Sequence, residues 1–239
     1  KTYDASVNAT SSDLKTNGIT NTVLSHSLTL NGTGTMSTTS VGIGKSLSVG
    51  TLTLSGAQSA NYTLTGGTHT IDVNPRTTNA NGARHYDGST VARGSAFNSF
   101  SNTVGSDTVT LSGSGTIASA DVGSKGVTIG TLQSAHPNYT LGNATLTVTQ
   151  KPVNLFGSRV AGEPGGRDIQ VTELSFTNLA AGETLNLSGV GRIPSIAIST
   201  HPLSLHTLTM SNGTGLTSNY TFVGGSLLFK ITSPLRSRA

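Results

Sequence analysis

Apolar and polar residues alternate along most of the chain in short runs. Leu146-Thr147-Val148, Val127-Thr128-Ile129 and Leu47-Ser48-Val49 are examples. A period of two places one side of each run against a core and the other side in water, which is the pattern of a β-strand. Gly or Asn interrupts the runs about every eight to twelve residues, and no stretch keeps a helical period with capping residues. The pattern therefore predicts an all-β protein built from short strands.

The chain contains three copies of one unit, which four landmarks in a common order make recognisable. A Tyr-Asp pair opens the first two copies at Tyr3 and Tyr86, and we match it in the third copy to the degraded run at 155–158. An apolar-polar-apolar run with two closely spaced glycines comes next, and a Val or Ile with a nearby Pro closes each copy. An Asn-Tyr-Thr element lies near the end of each copy, at Asn61, Asn138 and Asn219. Self-similarity at a spacing of about 80 residues predicts a repeat protein.

Each copy is expected to be a small domain, with boundaries at 1–75, 76–152 and 153–239. Proline removes a backbone donor and keeps the preceding residue extended, so Pro75 and Pro152 should end one sheet and lead the chain into the next. The polar stretch 77–83 follows the first of these joints. We call the three segments repeat 1, repeat 2 and repeat 3.

Each repeat is predicted to fold as a small immunoglobulin-like β-sandwich, with the three sandwiches in an elongated array. The alternative is a β-grasp-like unit, because residues 118–123 have a composition that suits one helical turn. The glycine pairs, such as Gly32 with Gly34, are expected at hairpin turns.

Composition excludes several classes of function. Charged residues make up 10% of the chain, and the net charge of +4 is spread over all three repeats, so no basic face for nucleic acid is expected. The absence of cysteine rules out disulfides, thiolate zinc sites and cysteine catalysis. No apolar run is long enough to cross a bilayer. A chain that starts at Lys1 is expected to be a mature product or an excised fragment.

Enzyme signatures fail on their spacing, and we predict no catalytic residue, no cofactor and no metal. Gly44-Lys45-Ser46 resembles the end of a phosphate-binding loop, but Thr39 stands where the first glycine belongs. The six histidines lie at unmatched positions of different repeats. Asp4 and Asp87 recur at equivalent places, but one carboxylate per repeat does not make a calcium shell. Each is expected to cap a turn beside its tyrosine.

The recurrent tyrosines are the remaining candidate site. Tyr62, Tyr139 and Tyr220 either form a stacking platform for sugars or fill the core with their hydroxyls bonded nearby, and we favour the core. The pairs Tyr3-Asp4 and Tyr86-Asp87 join them as candidate ligand or structural positions. The residues Asn61, Asn138 and Asn219 also stand in Asn-x-Thr acceptor sequences, which makes them candidates for glycosylation.

With these residues in view, the chain resembles the YDG-type repeats, related to the MBG repeats, of large filamentous-haemagglutinin-like bacterial adhesins secreted by the two-partner route. The resemblance is carried by Tyr86-Asp87-Gly88-Ser89-Thr90, by Asp121-Val122-Gly123 with Lys125, by Leu54-Ser55-Gly56-Ala57 and by the Asn-Tyr-Thr-Leu elements. It covers most of the chain. Repeat 1 departs from the pattern at Ala5, where the pattern has glycine.

The resemblance implies a non-enzymatic structural or adhesive stalk segment on a bacterial surface or in the extracellular medium, with a role in cell adhesion or a biofilm matrix. Its partners would be the neighbouring repeats. Two other hypotheses stay open. One is a lectin-like module that binds surface or matrix glycans. The other is a self-associating filament subunit, in which an exposed apolar edge strand such as Leu227–Ile231 pairs with another chain.

Overall fold

Short β-strands supply almost all of the regular structure in the computed structural model, which describes residues 1–14 and 19–234. Four single turns of 3₁₀ helix accompany them, at Ser59–Asn61, Gly94–Ala96, Val171–Glu173 and Thr217–Asn219. The strands in chain order are β1 (Asn8–Thr10), β2 (Thr29–Asn31), β3 (Thr33–Met36), β4 (Gly42–Ser48), β5 (Thr53–Ser55), β6 (Thr70–Val73), β7 (Arg76–His85), β8 (Val91–Arg93), β9 (Phe97–Ser101), β10 (Leu111–Ser112), β11 (Ser114–Ile117), β12 (Gly123–Thr128), β13 (Gln133–Ser134), β14 (Tyr139–Thr149), β15 (Lys151–Pro152), β16 (Leu155–Val160), β17 (Asp168–Gln170), β18 (Leu174–Phe176), β19 (Leu185–Ser188), β20 (Val190–Arg192), β21 (Thr200–Pro202), β22 (Thr209–Asn212), β23 (Tyr220–Thr221) and β24 (Leu227–Thr232).

The prediction of an all-β protein is confirmed. Burial alternates along the strands as the sequence pattern requires: in β14, Ala144, Leu146 and Val148 are buried and their neighbours are more exposed. Residues 118–122 contain bends and do not form the helical turn that would favour the β-grasp alternative. No helix within the described residues is long and apolar enough to cross a membrane.

The chain divides into two compact units. Unit 1 comprises Lys1–Asn81, Arg93–Gly115 and Ile129–Ala144, and unit 2 comprises Gly82–Ala92, Thr116–Thr128 and Thr145–Ala239. Each unit therefore combines an outer repeat with part of repeat 2. The division into three domains, the immunoglobulin-like arrangement and the elongated array stay predictions.

Unit 1 is organised around an antiparallel sheet with the strand order β1-β3-β4-β6. The pairs β2–β5 and β10–β13 form two further small antiparallel ladders. The core of the unit draws its buried side chains from repeat 1 and from the parts of repeat 2 that belong to it, and it consists of Tyr3, Ala9, Met36, Leu47, Leu52, Ile71, Val73, Val109 and Tyr139. Two of the candidate tyrosines are thus core residues of this unit.

Unit 2 contains a sheet with the strand order β18-β16-β24-β21, in which β16 and β24 run parallel. Strand β24 includes the segment Leu227–Ile231, which the self-association hypothesis treats as an exposed edge. That prediction is wrong, because β24 lies between β16 and β21 and its backbone hydrogen bonds are made within the sheet. The core of the unit includes Leu155, Ile169, Leu174, Ile193, Leu203, Leu208, Phe229 and Ile231.

The glycine pairs do not sit at hairpin turns as predicted. Gly32 and Gly113 each stand where the chain leaves one ladder and enters another, between β2 and β3 and between β10 and β11. Their φ angles are +89° and +80°, and a Cβ there would lie 2.2 or 2.1 Å from the carbonyl oxygen of Thr51 or Thr131. Glycine is required by backbone conformation and by this close approach of a second strand.

The polar stretch 77–83 is not a loop. It lies inside β7, where Thr78 and Ala80 are fully buried and the Thr78 hydroxyl donates to the carbonyl of Ser101 at 2.6 Å. Polar residues occur here because a strand with one buried face tolerates Thr and Asn on the other. The chain therefore passes from the end of repeat 1 directly into a strand after Pro75.

Candidate functional site

The Asn-Tyr-Thr tyrosines share one local geometry, which the structure repeats three times. The hydroxyl of Tyr139 accepts the backbone N–H of Val104 at 2.8 Å and donates to the carboxylate of Asp107 at 2.8 Å. The hydroxyl of Tyr220 does the same with Ala180 at 3.0 Å and Glu183 at 2.6 Å. In each case the side-chain partner follows the N–H donor by three residues. The tyrosine thereby ties the end of its repeat to a turn near the middle of the same repeat.

Repeat 1 has the same arrangement with one substitution. The Tyr62 hydroxyl accepts the N–H of Val23 at 3.0 Å, and its second partner, 2.9 Å away, is Nδ1 of His26. His26 stands where the other repeats have a carboxylate, and its ring meets the Tyr62 ring edge to face, with centroids 5.9 Å apart.

A second tyrosine, from the preceding repeat, reaches each carboxylate. The Tyr3 hydroxyl donates to Asp107 at 2.9 Å, and the rings of Tyr3 and Tyr139 meet edge to face with centroids 5.6 Å apart. Tyr86 likewise donates to Glu183, and its ring meets that of Tyr220 at 5.4 Å. The partial positive edge of one ring against the face of another is a favourable contact. We call Tyr3, Asp107 and Tyr139 the first joint, within unit 1, and Tyr86, Glu183 and Tyr220 the second joint, within unit 2.

The asparagine before each joint tyrosine adds a second link between repeats. The Asn138 side-chain oxygen accepts the backbone N–H of Val41 of repeat 1 at 3.0 Å, and the Asn138 backbone carbonyl accepts the N–H of Arg76 of its own repeat at 2.9 Å. The Asn219 side chain accepts the N–H of Val122 at 3.0 Å and donates to Asp121 at 2.9 Å. Both asparagines are buried, with 8% and 1% of their surface exposed. The burial of both side chains argues against a sugar on either, and at Asn219 the amide nitrogen that would carry it donates to Asp121. Glycosylation at the three asparagines stays a prediction.

Asn61 differs from the other two glycosylation candidates because it is exposed. Among the described residues its side chain makes no hydrogen bond. Tyr62 is half-buried, whereas Tyr3, Tyr86, Tyr139 and Tyr220 are each at most 5% exposed. The Asn-Tyr-Thr element of repeat 1 is therefore the accessible copy of the three.

Each Tyr-Asp pair begins a tight turn. Asp4 accepts the N–H of Ser6 at 3.0 Å and pairs with the Lys1 ammonium at 2.8 Å. Asp87 accepts the N–H of Ser89 at 2.9 Å and pairs with Arg84. Partial desolvation works to raise the pKa of Asp4, but the hydrogen bonds from Lys1 and Ser6 outweigh it and the pKa is lowered. The two aspartates thus hold the turns that present the joint tyrosines.

The residue after each of these aspartates takes the left-handed conformation, with φ of +58° at Ala5 and +76° at Gly88. Glycine adopts this conformation without strain, and alanine does so at a cost of about 1 kcal/mol. Repeat 1 therefore keeps the turn although it departs from the sequence pattern at Ala5.

Sequence reasoning misses the carboxylates of the joints. Asp107 and Glu183 lie two residues before the apolar-polar-apolar runs that begin at Val109 and Leu185, and His26 holds the same place before Leu28. That offset is the available signal. It is hard to recognise because an Asp, a Glu and a His at one position do not look like a motif.

The match of 155–158 to the Tyr-Asp segment is wrong. These residues lie inside β16, parallel to β24. The backbone N–H of Tyr3 donates to the carbonyl of Asn74, and that of Tyr86 donates to the carbonyl of Thr149. In repeat 3 the equivalent bond runs from the N–H of Ala161 to the carbonyl of Thr232, at 2.8 Å. Ala161 therefore occupies the position of Tyr3 and Tyr86, and repeat 3 has no tyrosine there to form a joint with a following repeat.

Electrostatics favour a charged Asp107 at the first joint and neutral phenols at both joints. Hydrogen bonds from Tyr139 and then Tyr3 lower the pKa of Asp107. Burial, reinforced by Glu183, raises the pKa of Tyr86 strongly and that of Tyr220 to about 12. Burial is the main cause of the raised pKa values of Tyr3 and Tyr139 as well. The folded joints therefore bind the phenolic protons more tightly than an unfolded chain does.

This preference predicts alkaline destabilisation of unit 2. A phenol whose pKa is raised on folding contributes stability that is complete below the unfolded value of about 10 and is lost as pH rises through the folded value. We expect the free energy of unfolding to fall steadily between pH 10 and about 12. The measurement is urea unfolding at several pH values, together with phenolate absorbance. A Tyr220→Phe control should show a shallower fall, and an equal slope in both proteins would contradict the assignment.

Within the described residues, no group of three or more His, Asp or Glu side chains is arranged to hold a metal ion. His136 packs against the Tyr139 ring, with centroids 5.0 Å apart, and His26 contacts Tyr62.

These features define an all-β protein of tandem repeats, in which a tyrosine of one repeat shares a carboxylate with a tyrosine of the next. Comparison with known protein families matches the YDG domain at residues 1–71 and again at residues 68–148. The chain belongs to the YDG domain family. No curated protein and no solved structure matches it.

Proposed function

We propose that the chain is a non-enzymatic structural and adhesive segment of a bacterial surface or secreted adhesin, in which the repeats act as a stalk. The observation that carries the proposal is the tyrosine joint, which occurs twice, each time with two tyrosines on one carboxylate. A protein whose recurrent side chains are used to connect successive repeats is suited to holding distance between its ends. In repeat proteins stability comes from such contacts between neighbours, and repeats can be added without changing the rest.

The geometry of the tyrosines also bears on the lectin alternative. A stacking platform for sugars needs an exposed aromatic face, but Tyr139 and Tyr220 are buried against Tyr3 and Tyr86. Glycan binding through these two residues would require the joints to open. This favours the structural role over the lectin-like one.

The adhesive and extracellular parts of the proposal rest on other grounds. The resemblance to repeats of filamentous-haemagglutinin-like adhesins supports them. The link to two-partner secretion and to a biofilm matrix belongs to the same proposal.

The stalk role is tested by adding one repeat and measuring length. A second copy of residues 76–152 is inserted after Pro152, and both proteins are compared by small-angle scattering as monomers. The natural chain should have a radius of gyration well above the value of about 18 Å for a compact globule of its size. The longer chain should gain on the order of 35 Å in maximum dimension, one strand length per repeat. A compact radius for both proteins would overturn the stalk role.

The adhesive role needs a separate measurement. Beads coated with the full chain are compared with albumin-coated beads for retention on host cells and on abiotic surfaces under flow, with the chain screened in parallel on a glycan array. Retention without glycan binding supports the proposal. Retention that soluble glycan abolishes would favour the lectin-like alternative, and no retention would leave a spacer without adhesive function.

A further inference from the structure

Repeat 1 contains half of a third joint. Tyr62 has its own-repeat partners in place, with Val23 donating to its hydroxyl and His26 beside it. At the first and second joints the matching tyrosines are covered by a tyrosine of the preceding repeat. Here Tyr62 is half-buried and Asn61 is exposed, whereas Asn138 and Asn219 are buried. The difference between the copies is the contact that a preceding repeat makes.

The outer edge of β6, the last strand of repeat 1, is also only partly paired. In repeat 3 the last strand, β24, is flanked along six residues by the parallel strand β16. In repeat 1 the chain start covers only the end of β6 and the residue after it. The Lys1 amino group donates to the carbonyl of Asp72 at 2.7 Å, Tyr3 donates to that of Asn74, and Asn74 donates to that of Lys1. Among the described residues, the edge at Thr70 and Ile71 that faces away from β4 has no strand beside it.

A depression of about 540 Å³ lies at this face of unit 1. Its lining includes Tyr62, Leu64, Ile71 and Asp72, which combine apolar side chains with the backbone of β6. A surface of this kind suits a strand that adds to the sheet edge and an aromatic ring that packs beside it.

We propose that the face formed by His26, Asn61, Tyr62 and the outer edge of β6 is a docking site for another YDG-type repeat, joined to Lys1 by a strand like β7. The upstream tyrosine of that repeat would pack edge to face on Tyr62, as Tyr3 packs on Tyr139. A tyrosine hydroxyl both donates and accepts, so it suits the imidazole of His26 as well as a carboxylate. Asn61 would accept a backbone N–H, as Asn138 accepts that of Val41.

Two observations favour a repeat that precedes Lys1 as the docking partner, over repeat 3 of a second copy of this chain. Lys1 pairs with Asp4 as Arg84 pairs with Asp87, so Lys1 holds the place of the next-to-last residue of β7, and a strand leading into it would continue along β6. Repeat 3 has Ala161 at the tyrosine position, so the end of a second copy lacks the ring that a joint needs. The inference rests on the joint geometry and not on an adhesive role, so either can fail without the other.

The test is a chain with an added copy of residues 1–83 directly before Lys1, which continues the strand in the register that leads to Arg84 in the natural sequence. Accessibility is read from hydrogen exchange of the segment 61–73 and from nitration of Tyr62, both located by mass spectrometry. The added copy carries the exposed substitution Thr65→Ser in every extended chain, so that its peptides differ in mass from those of the original segment. We expect both to slow by about tenfold or more relative to the natural chain. The matched control carries Tyr3→Ala in the added copy alone and should return Tyr62 to its natural reactivity.

Three results would overturn the proposal. The first is unchanged exchange and nitration in the extended chain. The added copy would dock through the same residues with which repeat 1 contacts repeat 2, so this result counts whether or not the exchange pattern of the added copy shows that it is folded. The second is equal protection of Tyr62 in the Tyr3→Ala control, which would mean that the added copy covers Tyr62 without forming a tyrosine joint. The third is protection of Tyr62 in the natural chain that rises with its concentration, which would assign the face to a second copy.

Discussion

Replacing Tyr139 by alanine should lower the free energy of unfolding of unit 1 by about 3–5 kcal/mol, the usual loss for an aromatic side chain removed from a core. Tyr139 is 4% exposed and belongs to the core cluster of that unit. The substitution removes ring contacts with Tyr3 and His136, and it leaves the N–H of Val104 without its acceptor. Urea unfolding followed by circular dichroism measures the loss.

The chain offers a matched control for this result. Tyr62 occupies the same position of the repeat and keeps the same backbone partner, but it is half-buried and no second tyrosine packs on it. Tyr62→Ala should therefore cost about half as much or less, because fewer contacts are lost. Equal losses at Tyr62 and Tyr139 would show that the joint between repeats adds nothing to stability.

Asn219→Ala should cost unit 2 about 2 kcal/mol, because it removes a buried side chain and leaves two partly buried polar groups without their partner. The Asn219 amide accepts the N–H of Val122 and donates to Asp121, and the side chain is almost completely buried. Hydrogen bonds from Asn219 and then Ser119 also lower the pKa of Asp121. The variant should therefore raise the pKa of Asp121 toward its ordinary value, which a carboxyl titration followed by NMR would detect.

The corresponding control is Asn61→Ala. Asn61 is exposed, so its removal should change stability by no more than about 0.5 kcal/mol. A loss at Asn61 as large as that at Asn219 would mean that the amide stabilises its own repeat and not the contact with the preceding one.

Local patterns in the sequence predict those parts of the structure that are determined by residues close together along the chain. Alternation predicts the strands, since the side-chain period of a strand is two whatever the partner strand is. The recurrence of Asn-Tyr-Thr predicts that one tyrosine position matters in every repeat. The glycine pairs are recognised as special positions too, although the sequence does not show that Gly32 and Gly113 mark a change of ladder instead of a hairpin.

The joints could not be predicted in the same way because their partners lie in different repeats. Tyr3 and Asp107 are 104 residues apart, and Tyr86 and Glu183 are 97 residues apart. No periodicity within one repeat points from the first residue to the second. The strand β7 is missed for a related reason: residues 77–83 lack the alternation of apolar and polar residues, and the buried Thr78 is held by a hydrogen bond to the carbonyl of Ser101, 23 residues away.

The way each joint is divided between successive repeats has a consequence for how such a gene can change. The upstream half is a tyrosine, which repeats 1 and 2 contain, and the downstream half is an Asp, Glu or His side chain with its own tyrosine, which occurs once in each repeat. Unequal crossing-over that inserts or removes one whole period leaves every upstream half followed by a downstream half, wherever the breakpoints fall. An exchange that adds or removes only part of a repeat would leave one half of a joint without its partner. Ala161 is different, because a period that begins there has no tyrosine to offer to a following repeat. Copying of repeat 3 would therefore lengthen the chain with an unlinked junction.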